Sequence, residues 1–464
     1  MDPARSTISY DRSMLNMVFD RLLRTNPDTA DLEPGLATEW SFNDAGDELT
    51  FTLREGVSFH DGTPFDAEAV KANLERMKTL QGSNFAGQLQ VVESVEVVDA
   101  STVRLHVKAA EAGIVPNLMA ERPGMMMSPK AMANPDLDVK PVGSGLFKLE
   151  GSYSPGTTAV FSRFDDYWDE EALKVAPARF EVLNLADETA RVNALVSGEV
   201  QAAQLTGRSI DQAKNAGFET EIRPTFSTFN LRFNRGKDPV KDERVRQAIS
   251  FALDREALIE GLLFGYGDPV VQAFPKGHMA HDDSVDAEYL RHDPARAKKL
   301  LADAGFPNGV DVEMIQVAAL APFSEAVQAQ LAEVGIRVSL LTVEPQNYAV
   351  EFYKNDRAMF LIGPGGGRPD PVLFFEGYHG SKGGSNACEC APAELDELIA
   401  AAKAPGTPEE RGERLQELSR YVTEHTLDVY TWSINMFIAK SDDVIGELST
   451  FEELFNVVGV GVKA

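Results

Sequence analysis

Apolar and polar positions alternate along this chain with two periods, and the change from one to the other marks its elements. Residues 48–53 (ELTFTL) repeat every second position and predict a strand, and residues 91–98 and 102–107 read as a further pair. Between them, residues 67–77 set Val70, Leu74 and Met77 at helical spacing behind Asp66, an N-cap candidate, with Glu68 in the first turn. Residues 15–23 carry apolar side chains at 15, 18, 19, 22 and 23 and predict an amphipathic helix ended by Asn26-Pro27-Asp28. In residues 122–129 (RPGMMMSP) three methionines lie between a Pro-Gly pair and a Ser-Pro stop. That run suits a buried core strand or an adaptable pocket lining. Residues 141–149 (PVGSGLFKL) read as a tight glycine-rich turn feeding a strand.

From residue 242 the period lengthens. Residues 242–263 read as one long helix with Val245, Ala248, Ile249, Ala252, Leu253, Leu258 and Leu262 inward, and residues 294–304 and 323–334 predict two more. Strand-like runs at 310–317, 337–343 and 359–362 are interleaved with them, which predicts an open α/β sheet. Residues 363–367, rich in glycine, follow a strand directly, the place where such sheets present ligand contacts. Residues 427–438 are strand-like, a short helix is expected near 451–455, and residues 405–408 open another helix with Glu409 and Glu410 in its first turn.

Composition narrows the function. A chain of 464 residues suffices for two or three domains, and nowhere do about 18 apolar residues run without a charge or breaker. With 44 Lys plus Arg against 72 Asp plus Glu, the net charge of −28 repels phosphate backbones, so nucleic acid is not an expected partner. Residues 1–5 show no basic segment or apolar core of an export signal, which fits a cytoplasmic chain or one whose leader is absent.

Catalytic motifs are missing. There is no G-x-S-x-G, H-E-x-x-H, phosphate loop or dinucleotide fingerprint, and the carboxylates cannot be paired by spacing. His278 and His281, with Asp282 and Asp283, form one metal-like group in a Gly- and Pro-flanked stretch, for which a solvated polar loop is the simpler reading. Cys388 and Cys390 read as two partly buried thiols, with a soft-metal contact as the alternative.

Eight words occur in a fixed order: residues 1–5 (MDPAR), 19–23 (FDRLL), 32–40 (LEPGLATEW), 53–65 (LREGVSFHDGTPF), 141–147, 191–200 (RVNALVSGEV), 242–259 (DERVRQAISFALDREALI) and 293–305 (DPARAKKLLADAG). Together they closely resemble the family 5 extracellular solute-binding proteins of ABC importers, the dipeptide, oligopeptide and nickel-chelate group, over nearly the whole chain. The resemblance implies an α/β, two-lobed periplasmic-binding-protein-like fold of type II. Lobe I would comprise residues 1–47, 141–235 and 433–464, with residues 48–140 as an inserted subdomain, and lobe II residues 236–432. It implies no enzyme, cofactor or metal. Hinge closure around a small solute would present the closed form to permease subunits, and ATP would bind another polypeptide. The protein would be a monomer, exported to the periplasm or the outer face of the cytoplasmic membrane, with a lipid anchor as one native form.

Site residues follow from the same resemblance. In peptide-binding relatives an aspartate four residues before a proline pairs with the ligand's amino terminus; counted back from Pro369, that position is Gly365. The segment 363–371 (GPGGGRPDP) lacks this anchor and adds Arg368, whose two-pronged donor face suits a carboxylate. The arginine and tryptophan of the nickel-chelate relatives appear as Gly82 and Phe85. Phe85, Met125, Met126, Phe229 and Trp432 are expected to line an apolar cleft. Arg122, Ser227, Arg368, Ser385 and Asn386 would be its polar contacts, and Thr7, Tyr10, Gly365, Gly366 and Asp370 complete the set. A short peptide or peptide-like solute is the expected ligand, with an opine, a glycoside or a nickel chelate as alternatives.

Overall fold

The computed structural model describes residues 1–6, 9–27, 29–154, 156–354, 357–362, 370–388 and 390–463. They form two compact units: Met1–Arg223 with Lys403–Pro405 and Met436–Ala464, and Pro224–Ala402 with Gly406–Asn435. The chain passes from one to the other within the strands Glu219–Phe233 and Asp428–Lys440.

Unit 1 contains the expected period-two strands. Ala37–Phe42, Glu48–Leu53, Thr102–Val107 and Val92–Asp99 form an antiparallel sheet in that order. Leu49 stands opposite Leu105 and Phe51 opposite Val103, so the apolar face is continuous across the strands. Helix Ala67–Thr79 starts at Asp66, whose carboxylate accepts from the Ala69 amide (2.9 Å), and buries Val70, Leu74 and Met77. On the same face, buried Asn73 donates to the Met127 carbonyl (2.8 Å) and accepts from its amide (3.0 Å), fixing the methionine run.

A second antiparallel sheet, Phe147–Leu149, Ala159–Arg163 and Arg179–Val182, packs on helix Ser9–Val18 through Met14, Met17, Phe147 and Phe161. The glycine-rich turn before it explains itself here. The Gly145 amide bonds the Val18 carbonyl (2.9 Å), and a Cβ on Gly143 would lie 2.0 Å from that same oxygen. The helix expected at 15–23 is displaced: it ends at Val18, and Leu23–Thr25 is a strand. Asp20 is the reason. Its carboxylate is buried and accepts from Tyr167 (3.0 Å) and Trp168 (2.8 Å), which a continued helix could not reach. The short helix expected near 451–455 is instead a turn closed by a bridge between Ser449 and Phe455.

In unit 2 the order is Asp428–Lys440, Glu219–Phe233, Met359–Ile362, Val310–Val317, Ile336–Val343. The last three are mutually parallel, and Met359–Ile362 is antiparallel to Glu219–Phe233, so the expected α/β sheet is mixed. The single helix expected over 242–263 is two, Glu243–Ala252 and Arg255–Leu263. Leu253 is extended, and Asp254 caps the second helix by accepting from the Ala257 amide (2.9 Å). Helix Pro408–Glu424 opens with a full capping box between Thr407 and Glu410.

Candidate functional site

Three aromatic rings of unit 2 stack at the paired strands. Phe229 lies 5.3 Å from Trp432 and 5.5 Å from Phe323, with interplanar angles of 27° and 23°. Phe229 comes from Glu219–Phe233, Trp432 from its neighbour Asp428–Lys440, and Phe323 from the first turn of Ala321–Glu333. Three buried polar atoms on one strand have no hydrogen-bond partner among the described residues: Trp432 Nε1, Ser433 Oγ and Asn435 Oδ1. Such atoms each cost about 1–3 kcal/mol when left unpaired, so three within four residues mark a place built to be satisfied from outside the chain. Sequence reading found Phe229 and Trp432 but missed Phe323, Ser433 and Asn435. Ser433 and Asn435 stand two apart and share a strand face, a signal hidden inside a run that is otherwise apolar. Ser227, two positions before Phe229, is buried on the same strand.

Beside it lies a buried network of charge. Arg232 Nε donates to Asp428 (3.3 Å), and its guanidinium stacks on Tyr378 at 3.6 Å. Arg235 meets His379 Nδ1 (3.2 Å) and donates to Asn386 Oδ1 (3.2 Å). Burial holds the Asp428 carboxyl above its usual range despite Arg232, and burial with the two arginines keeps His379 neutral. Asn386 also donates to the carbonyls of Gly380 (3.0 Å) and Cys390 (2.8 Å). The amide of Ser385 is bonded to Gly377 (2.9 Å). Asp370 is fully buried, caps helix Pro371–His379 through the Val372 amide (2.9 Å), and pairs with Arg411. The side-chain polar atoms of Asp370 and Asn386 are thus bonded within unit 2. Gly365, Gly366 and Arg368 lie outside the described residues.

Two sequence expectations are corrected here. Cys388 and Cys390 are joined as a disulfide rather than being separate thiols. The stretch at 278–283 is no solvated loop: His278 stacks on Phe274 at 4.4 Å, and burial pushes its imidazole down to about 3. His281 is nearly as enclosed, its Nδ1 on the Phe274 carbonyl (3.0 Å) and its Nε2 on Asp286 (2.9 Å). With Asp283 these donors lie within 4.8 Å of one another, and Lys276 pairs with Asp283 (3.4 Å).

In unit 1, Arg122 lies over the Phe85 ring at 4.6 Å and donates to the Ser6 carbonyl; burial lowers it to about 10, and its Nε has no partner among the described residues. Met125 and Met126 are buried, Met125 in the core around Phe19 and Phe147. Thr7 and the Tyr10 side chain lie outside the described residues. Next to Arg122, Glu121 pairs with Arg12 (3.3 Å) and faces Glu452, which pairs with Arg21 (3.9 Å).

Comparison with known proteins adds to this geometry. The model of the bacterial extracellular solute-binding proteins, family 5 Middle, matches residues 31–386. The chain is 26% identical over 463 residues to di/tripeptide-binding protein 3 of Pseudomonas aeruginosa, covering 91% of this chain and 85% of that one. It is 28% identical over 393 residues to the glutathione-binding protein GsiB of Salmonella paratyphi A, covering 82% and 73%. Among solved structures, NikA from Brucella suis in complex with Fe(III)-EDTA superposes with a TM-score of 0.87 at 23% identity, covering 99% and 97%.

Proposed function

The chain belongs to the bacterial extracellular solute-binding proteins, family 5, and from that premise we propose that its solute is a peptide or peptide-like molecule, passed on to the permease subunits of an ABC importer. Its role is that of the substrate-binding component, and the relatives it matches are named as binding proteins. We take units 1 and 2 as the two lobes, whose closure captures the solute. A ligand drives closure only by binding the closed form better than the open one. The observation that carries the ligand class is the stack of Phe229, Trp432 and Phe323 beside the unpartnered Trp432 Nε1, Ser433 Oγ and Asn435 Oδ1. Flat apolar surface with a few hydrogen-bonding atoms suits amide planes and short side chains.

One sequence feature favours a second reading inside the same class. Gly365 stands where an amine-pairing aspartate is expected and Arg368 follows it, which directs the choice toward solutes recognised by a carboxylate, opines included. Arg368→Ala should then weaken an anionic solute at least tenfold, measured by calorimetry; unchanged affinity removes Arg368 from the site. We place the protein outside the cytoplasmic membrane as a monomer, held there by a lipid anchor or by its permease; no helix of the described residues is long and apolar enough to cross a membrane.

A thermal-shift screen of dipeptides, tripeptides, glutathione, opines, glycosides and nickel chelates tests the reading. A solute at 100 times its Kd stabilises by about 2.7 kcal/mol. Trp432→Phe keeps the stacked ring and removes the N–H, and should bind the screened peptide several-fold more weakly. If nickel chelates alone raise the Tm, the peptide reading fails.

A further inference from the structure

Two strands of unit 1 each end a sheet, and both border one cavity. Arg179–Val182 is the outer strand of the three-stranded sheet, and Ala202–Leu205 pairs on one side only, with residues 437–440. The cavity measures about 680 Å3 and is lined by both strands together with Met17, Leu448, Phe455 and Val460. Every one of these residues belongs to unit 1, so the cavity is separate from the aromatic stack of unit 2.

Register decides which backbone groups look into it. In an antiparallel ladder, residues that exchange hydrogen bonds with the partner strand alternate with residues whose N–H and C=O point the other way. The Ser441 amide donates to the Gln201 carbonyl (2.8 Å), and Ala203 stands opposite Ala439 and Leu205 opposite Phe437. Residues 201, 203 and 205 are therefore the bonded set, and Ala202 and Gln204 turn their backbone groups to the open side. On the other wall the Arg163 amide donates to the Ala178 carbonyl (3.0 Å), with Phe161 opposite Phe180 and Ala159 opposite Val182. Residues 178, 180 and 182 are bonded there, which leaves Arg179 and Glu181 open.

We propose that this cavity is a strand slot: it takes one extended peptide segment, hydrogen-bonded along both edges, with apolar side chains at alternate positions. Each edge offers four residues, a length of about 13 Å at roughly 3.3 Å per residue, so the slot matches a segment of four to six residues. Its volume lies in the range of ligand pockets, roughly 300–1,000 Å3. The main chain supplies the affinity, as in other additions of a strand to a sheet edge, and the apolar wall of Met17, Phe455 and Val460 selects the alternate side chains. The ion pair between Arg179 and Glu181 keeps their charges on the exposed face, so those side chains do not block the edge as charges on edge strands often do.

The test uses the whole 464-residue protein and a heptapeptide of alternating valine and threonine, acetylated and amidated so that it carries no terminal charge. Hydrogen exchange of the amides of Arg179, Glu181, Ala202 and Gln204 should slow at least tenfold on adding the peptide, with residues 224–435 unaffected. Gln204→Pro removes an N–H that faces the slot while sparing the bonded residues 203 and 205, and should weaken the peptide at least tenfold; Gln204→Ala should bind as the parent does. A peptide N-methylated at alternate residues tests the same bonds without altering the protein, and should not bind. The proposal is overturned by unchanged exchange, by equal binding of the N-methylated peptide, or by protection confined to residues 224–435, which would report the solute site. Protection that rises with protein concentration in the absence of peptide would assign the edges to a second copy of the chain and equally overturn it.

Discussion

The pairing of Asp370 with Arg411 shows how a residue that reads as a ligand contact can serve the fold instead. Asp370 follows the glycine-rich segment, yet its carboxylate is wholly buried, with one oxygen on the Val372 amide and the other on Arg411 of a distant helix. Removing one partner of such a pair leaves a buried charge without compensation, at about 3–5 kcal/mol, whereas replacing both by apolar or neutral groups is far milder. Arg411→Met should therefore lower stability by that amount in urea denaturation. Asp370→Asn combined with Arg411→Met should recover most of the loss, because asparagine caps a helix about as well as aspartate. If the double variant is as unstable as the single one, the charge is not the cause. Asn73 belongs with these residues: its spacing places it on the buried face of Ala67–Thr79, and only the tertiary contact with Met127 explains a polar group there.

Elements were legible where pattern and cap agreed. Glu48–Leu53, Val310–Val317 and Ala67–Thr79 each combine a clean period with a boundary residue, and each forms as expected. The break at Leu253 was not legible, since Leu253 and Leu258 continue the apolar phase across it. What decides it is Asp254, which gains more as an N-cap than in a helix interior. Asp254→Ala should cost about 1 kcal/mol, while Asp254→Asn, which keeps the acceptor, should stay near the parent; equal losses in both variants would point to the nearby His292 instead. Of the candidate site, the aromatic members could be found because large apolar residues stand out in a strand. The network of Arg232, Asp428, Arg235 and His379 could not, because its members are spread over some two hundred positions and meet only through the sheet. The burial of His278 was equally invisible, since it comes from Phe274 and Phe226 closing over a polar-looking stretch.

At the scale of the molecule, the acidic composition leaves open how stability responds to pH, and the buried groups of unit 1 decide it. His60, bonded to the Gly145 carbonyl (2.8 Å), is pushed down to about 4 by burial. Between about 4 and 6.5 the unfolded chain binds a proton that the folded one refuses, so this contribution is fully present above 6.5 and is lost as pH falls toward 4. Glu452 acts in the opposite sense. Burial and the neighbouring Glu121 carboxylate push it up to about 7, so the folded protein keeps a proton that the unfolded chain releases above about 4.5. Its contribution is present below 4.5 and is lost as pH rises toward 7. Each gap is worth about 3 kcal/mol over its window, and the windows overlap between about 4.5 and 6.5, where the two cancel. Unit 1 should accordingly show a nearly level stability there. Glu452→Gln keeps a donor toward Glu121 but has no proton to lose, so in the variant the histidine acts unopposed and stability should climb by one or two kcal/mol from pH 4.5 to 6.5. Urea denaturation at intervals of half a pH unit, followed by hydrogen exchange in residues 1–223, measures both profiles. A variant as level as the parent would show that Glu452 is already ionised in the folded protein, and that the arginines at Glu121 and Glu452 outweigh their burial.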